Sequence, residues 1–99
     1  MEEKIPSNEK NGYLPSKPDF KFFITTLAIQ ASINLGVLEN PLTNKKQENM
    51  PQAKLLIDTL EMLQEKTRGN LNKEETDSLN NILAELNAQY TSKVNRTHQ

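Results

Sequence analysis

Apolar side chains recur at helical spacing in three stretches of this chain, and in two of them they recur on two sides of the same helix. The first stretch carries a wide stripe, Phe20, Phe23, Ile24, Leu27, Ala28, Ala31, Leu35 and then Leu38, and opposite it a second one, Phe22, Ile29 and Ile33. The second carries Ala53, Leu56, Ile57, Leu60 and Leu63, with Leu55 and Met62 seven residues apart on the far side. The third has one stripe only, Leu79, Ile82, Leu83, Leu86 and Tyr90, with Val94 beyond. A period near 3.6 predicts helices, and a single stripe marks an outer helix laid on one core.

Punctuation sets the boundaries. Asp19 is suited to cap helix 1, which should stop near Leu35, with Gly36 supplying a left-handed turn. A polar connector, ENPLTNKKQEN, follows, and Pro41 biases Asn40 away from helix. Asn49 and Pro51 open helix 2, which should run to about Arg68. Helix 3 should run from Lys73 to about Tyr90.

Between helices 2 and 3 lies EKTRGNLNKEE, dense in helix-end signals. Gly69 permits the left-handed turn, and Lys66 and Arg68 place positive charge on the carbonyl end of helix 2. Asn72 and Glu75 have the spacing of a capping box, and Leu71 is placed to pin the corner to the core. The fold class expected is all-α: three helices, with a tight helix 2–helix 3 hairpin and helix 1 packed across it. Lys66, Thr67, Arg68 and Asn70 form the second feature of this joint. They are either parts of the turn or donors turned toward an anionic or peptide partner.

Composition adds a constraint. With 99 residues and 34% hydrophobic side chains, the chain supports one small core. Three of its five prolines and few apolar residues fall in residues 1–18, which read as a disordered amino-terminal tail. Within that tail, Tyr13–Pro15 (YLP) is either solvated or a docking motif. The helical domain is expected over residues 19–94, followed by a short disordered tail at 95–99. The chain has no cysteine, so neither disulfides nor thiolate metal sites support the core. Domains of this size commonly gain support from self-association.

Charge argues against nucleic acid as a partner. The net charge is -1, from 12 basic and 13 acidic side chains. Helix 3 opens on Glu74, Glu75 and Asp77, which would repel phosphate at the end a recognition helix brings to the duplex. The run Phe22–Leu38 is uncharged but interrupted by Thr25, Thr26, Gln30, Ser32 and Asn34, short and polar for a membrane span. The amino terminus, MEEKIPSNEK, lacks the apolar segment of a signal peptide, and a cytoplasmic location is expected.

No constellation for catalysis is visible. The single histidine, His98, sits in the terminal tail, where it cannot be held in the geometry that acid–base work requires. Asp58, Glu61 and Glu65 share a face of helix 2, but no Glu-x-x-His pattern accompanies them, and Lys54 is spaced to pair with Asp58. No glycine-rich phosphate loop is present, and no cofactor is expected.

The stretches LAIQASINLG, NPLTNKK, AKLLIDTLEMLQEKTRGNL and LAELNAQY, over Phe20 to Tyr90, resemble the small bacterial proteins grouped as domain of unknown function 1844. The resemblance implies a small helical protein with a variable amino-terminal tail, and no known activity, cofactor or substrate. Asn87 stands where that family usually has an arginine.

A helix that is apolar on two faces needs cover on two sides. Either helix 1 is central within one chain, or the second stripes meet another copy or another protein. The leading expectation is a non-enzymatic interaction module, self-associating to an oligomer through Phe22, Ile29, Ile33, Leu55 and Met62. The alternative is peripheral attachment to a membrane through the Phe22, Ile29, Ile33 face, although the basic rim usual for such helices is missing.

Overall fold

The computed structural model describes residues 14–97 and folds them into three helices: α1 (Phe20–Asn34), α2 (Met50–Lys66) and α3 (Lys73–Thr97). Residues 1–13, with Tyr13, and the terminal His98 and Gln99 lie outside the described residues, as does most of the expected amino-terminal tail. Residues 14–19 form neither helix nor strand and are exposed.

Each helix starts where its cap allows. The Asp19 carboxylate accepts from the Phe22 amide at 2.8 Å, and the Asn49 side chain accepts from the Gln52 amide at 3.2 Å. At the joint, the Glu75 amide donates to the Asn72 side chain at 2.8 Å, and the Asn72 amide donates to the Glu75 carboxylate at 3.0 Å. The capping box is closed in both directions, which satisfies two amides that the helix itself leaves unpaired. Gly36 and Gly69 both adopt the left-handed conformation, with φ of 81° and 85°. A side chain at either would strain the backbone.

The helices run up, down and up. The Asn49 amide donates to the Asn34 carbonyl at 2.7 Å, which places the end of α1 beside the start of α2. Lys21 reaches Glu74 at 3.6 Å, which places the starts of α1 and α3 together. All three helices touch one another. Their shared core is Ile24, Ala31 and Leu35 from α1 and its end, Ala53, Leu56, Ile57 and Leu60 from α2, and Leu79, Leu83 and Leu86 from α3. Burying a side chain such as Ile24, Leu35, Leu60 or Leu79 contributes about 1.5–3 kcal/mol. The architecture is the expected all-α three-helix fold with a helical hairpin.

Two expectations are corrected. Helix α3 continues to Thr97 instead of stopping near Tyr90, so Asn95 to Thr97 belong to it. The extension is held from outside the helix: Glu48, at the end of the connector, accepts from Lys93 at 3.1 Å and from Arg96 at 2.8 Å. Helix α2 ends at Lys66, with Thr67 as its C-cap, two residues before the expected Arg68.

The connector is built rather than slack. Asn40 pairs with Lys45 in an isolated antiparallel bridge, the Asn40 side chain accepts from the Leu42 amide at 2.8 Å, and Asn44 takes a positive φ of 60°. This turn presents Leu42 almost wholly to solvent.

Candidate functional site

Which sides of α1 and α2 remain open follows from their contacts with α3. At 100° per residue, Lys21, Thr25 and Ser32 lie on one shoulder of the buried Ile24 line, and Phe23, Gln30 and Asn34 on the other. Lys21 pairs with Glu74, so its shoulder looks toward α3. On α2, Gln64 donates to Asn80 of α3, and Glu61 accepts from Asn87 at 3.4 Å. Their shoulder also looks toward α3. The opposite shoulders, with Phe23 on α1 and Thr59 on α2, therefore flank the open α1–α2 seam.

Around that seam the apolar side chains accumulate. Phe22 is 36% exposed, Phe23 47%, Leu55 59%, Met62 46% and Ile29 48%. Ile33 is half-buried. The five residues expected at an interface thus separate: Leu55 and Met62 border the α1–α2 face, Ile33 stands on the outer ridge of α1, and Phe22 and Ile29 lie just beyond that ridge, on its α3 side.

Phe23 and Leu38 were expected in the core and are exposed instead. Phe23 lies 100° from Ile24, too far round for the core to cover it, and Leu38 follows the helix in the connector. The sequence signal for Phe23 was that angle.

Two threonines complete the ridges. Phe22, Thr26, Ile29 and Ile33 follow one another at spacings of four, three and four; Leu55, Thr59 and Met62 follow at four and three. This is the spacing of a helix–helix seam. The Thr26 hydroxyl donates to the Phe23 carbonyl at 2.7 Å, and the Thr59 hydroxyl donates to the Leu55 carbonyl at 2.7 Å. Each hydroxyl is satisfied within its own helix, so covering it leaves no unpaired donor.

Charge is kept off this face. No charged residue occurs from Phe22 to Leu38. On α2, Lys54, Asp58, Glu61 and Glu65 all lie toward the α3 side, and only Lys66 enters the open face, at its end. Lys54 donates to Asp58 at 3.1 Å, which raises the pKa of Lys54 through that hydrogen bond. Among the described residues, no group of three acidic or histidine side chains is arranged to hold a metal ion.

The joint is a second candidate. Its Thr67 hydroxyl donates to the Leu63 carbonyl at 2.7 Å, and its Arg68 guanidinium donates to Glu65 at 2.6 Å. That hydrogen bond raises the Arg68 pKa. The Asn70 amide donates to the Thr67 carbonyl at 2.8 Å. Thr67 and Arg68 thus serve the end of α2, while Lys66 and Asn70 are exposed. A groove of about 260 Å³ opens between Gln64, Thr67, Leu71, Thr76 and Asn80.

Comparison with known proteins adds the family. The model of a domain of unknown function (DUF1844) matches residues 17–92. The chain belongs to this family. No curated protein and no solved structure matches it. The DUF1844 match spans all of α1 and α2 and α3 as far as Ser92, so the open α1–α2 face lies wholly within the family domain. Among its described residues, no helix is long and apolar enough to cross a membrane.

Proposed function

We propose that this chain is a non-enzymatic protein–protein interaction module of the bacterial cytoplasm, working through the uncharged outer side of α1 together with the adjoining side of α2. The observation that carries the reading is segregation: large apolar side chains stand exposed where, of the charges of both helices, only Lys66 enters, at the end of α2. Protein interfaces show this pairing of apolar bulk with depletion of charge at their centre.

Membrane attachment through Phe22, Ile29 and Ile33 is less well supported. Lys21 is the one charged side chain of α1, and it is paired with Glu74 rather than set out toward lipid. The joint, with Arg68 and Thr67 engaged in its own turn, is better read as a hairpin corner than as a donor site.

The test is a photo-cross-linking side chain placed at Ile29, with one at the exposed Ala84 of α3 as control, in the cells that make the protein. The reading predicts a discrete protein adduct from position 29 and none from position 84. Absence of any adduct at 29, or equal labelling at both, would remove it.

A further inference from the structure

The open face bears on its own occupant. At about 200 Å² for a fully exposed large apolar side chain, the exposed fractions of Phe23, Leu55 and Met62 amount to roughly 300 Å², and Phe22 and Ile29 on the adjoining ridge of α1 add roughly 170 Å². A stable interface buries about 800 Å² per partner, of which a little over half is apolar. The face therefore supplies about two-thirds of the apolar area on one side of a standard interface, and the adjoining ridge of α1 supplies the rest.

Its charge pattern favours one class of partner. In an isologous contact the same patch meets itself, so any charge near the two-fold axis faces its own like. A patch without charge across its middle avoids that repulsion. Here the middle is Thr26, Gln30, Leu55 and Thr59, and the one charge on the face, Lys66, stands at its end. A basic or acidic partner would find no complement on this surface. The seam spacing of four and three on both helices suits packing against further helices of similar length.

We infer that a second copy of this chain covers the α1–α2 face, the two faces stacking about a two-fold axis into a four-helix interface with the α3 helices on the outside. This rests on the interaction reading above and names its partner. Back-bonded Thr26 and Thr59 then lie under the second copy with their hydroxyls already satisfied.

The natural absence of cysteine makes a clean test. Gln30→Cys places a single thiol on the proposed interface, and Ala84→Cys places one on exposed α3. Both variants, purified whole, are treated with a short bismaleimide and followed by light scattering on a size-exclusion column. The inference predicts a two-chain mass for both before cross-linking, and covalent dimer from Gln30→Cys at least tenfold above that from Ala84→Cys. A monomer at every concentration overturns the second copy, and so does a dimer that cross-links through position 84 or through neither. In the monomer case the Ile29 photo-adduct separates the two ideas: an adduct with a different protein keeps the interaction reading, and no adduct removes both.

Discussion

Thr26 donates its hydroxyl proton to the carbonyl of Phe23, one turn back in the same helix, at 2.7 Å. The bond satisfies the hydroxyl donor of a half-buried position within its own helix. Thr59 does the same toward Leu55 on the neighbouring helix. Two exposed helix ridges are thereby prepared to lose water without leaving a donor unpaired.

Replacing Thr26 with valine should accordingly preserve or strengthen association, since the shape is retained and no hydroxyl is lost to the interface. Thr26→Asp should weaken it at least tenfold, because an unpaired carboxylate would be buried. Dissociation constants from sedimentation equilibrium decide this; equal weakening by both variants would show that the hydroxyl contacts the partner directly.

The two left-handed glycines should differ in cost. At Gly69 a Cβ would meet nothing within 4 Å, so Gly69→Ala carries only the backbone penalty, about 1–2 kcal/mol. At Gly36 a Cβ would lie 2.7 Å from the Glu48 Cγ, so Gly36→Ala must also displace that side chain. Urea unfolding should rank Gly36→Ala as the more damaging, and the reverse order would contradict the position given to Glu48.

Glu48 ties the connector to the last turns of α3. Its hydrogen bonds to Arg96 and then Lys93 hold its pKa below the ordinary carboxylate value of 4.5. A folded-state pKa below the unfolded one means stability that is present above about pH 4.5 and lost as pH falls through the depressed value. Amide protection from Tyr90 to Arg96, taken relative to intrinsic exchange at each pH, should therefore fall in that acid window before the core opens. Glu48→Gln should show the lower protection already at pH 7, with little further acid response.

Asn87 donates to the Leu83 carbonyl at 2.9 Å and, at 3.4 Å, to Glu61 across the hairpin. Asn87→Arg exchanges a poor helix former for a good one and sets a cation opposite Glu61. A gain of about 0.5–1 kcal/mol is expected. Thermal unfolding in low and high salt should show part of that gain disappearing with salt; destabilisation would mean that the Asn87 bonds matter more than helix propensity.

Much of this fold is legible in the sequence because its signals are local. Asp19, Asn49, Asn72 with Glu75, Gly36 and Gly69 each act within a few residues, and each stands in the structure in the role its spacing predicts. The buried lines of α2 and α3 follow from periodicity for the same reason. The end of α3 was not legible, because Glu48 lies 45 residues before Lys93 and nothing local joins them. The wide stripe of α1 places Phe23 in the core because periodicity does not say how far a neighbouring helix reaches, and Phe23 is exposed. The open face needed the structure most: the second stripes are visible in Phe22, Ile29, Ile33, Leu55 and Met62, but that Leu55 and Met62 turn to the α1–α2 face while Phe22 and Ile29 stand beyond the outer ridge of α1 follows only from which shoulders meet α3.

The central claim is that a second copy covers the α1–α2 face, and sedimentation equilibrium of the wild type beside Leu55→Glu tests it most directly. Leu55 is the most exposed apolar side chain of that face and contributes nothing to the buried core. The wild type should approach the mass of two chains, each 11.3 kDa, while Leu55→Glu should remain at one with its helical circular dichroism unchanged. A dimer that persists unaltered in Leu55→Glu, or a wild type that stays at 11.3 kDa throughout, would contradict it.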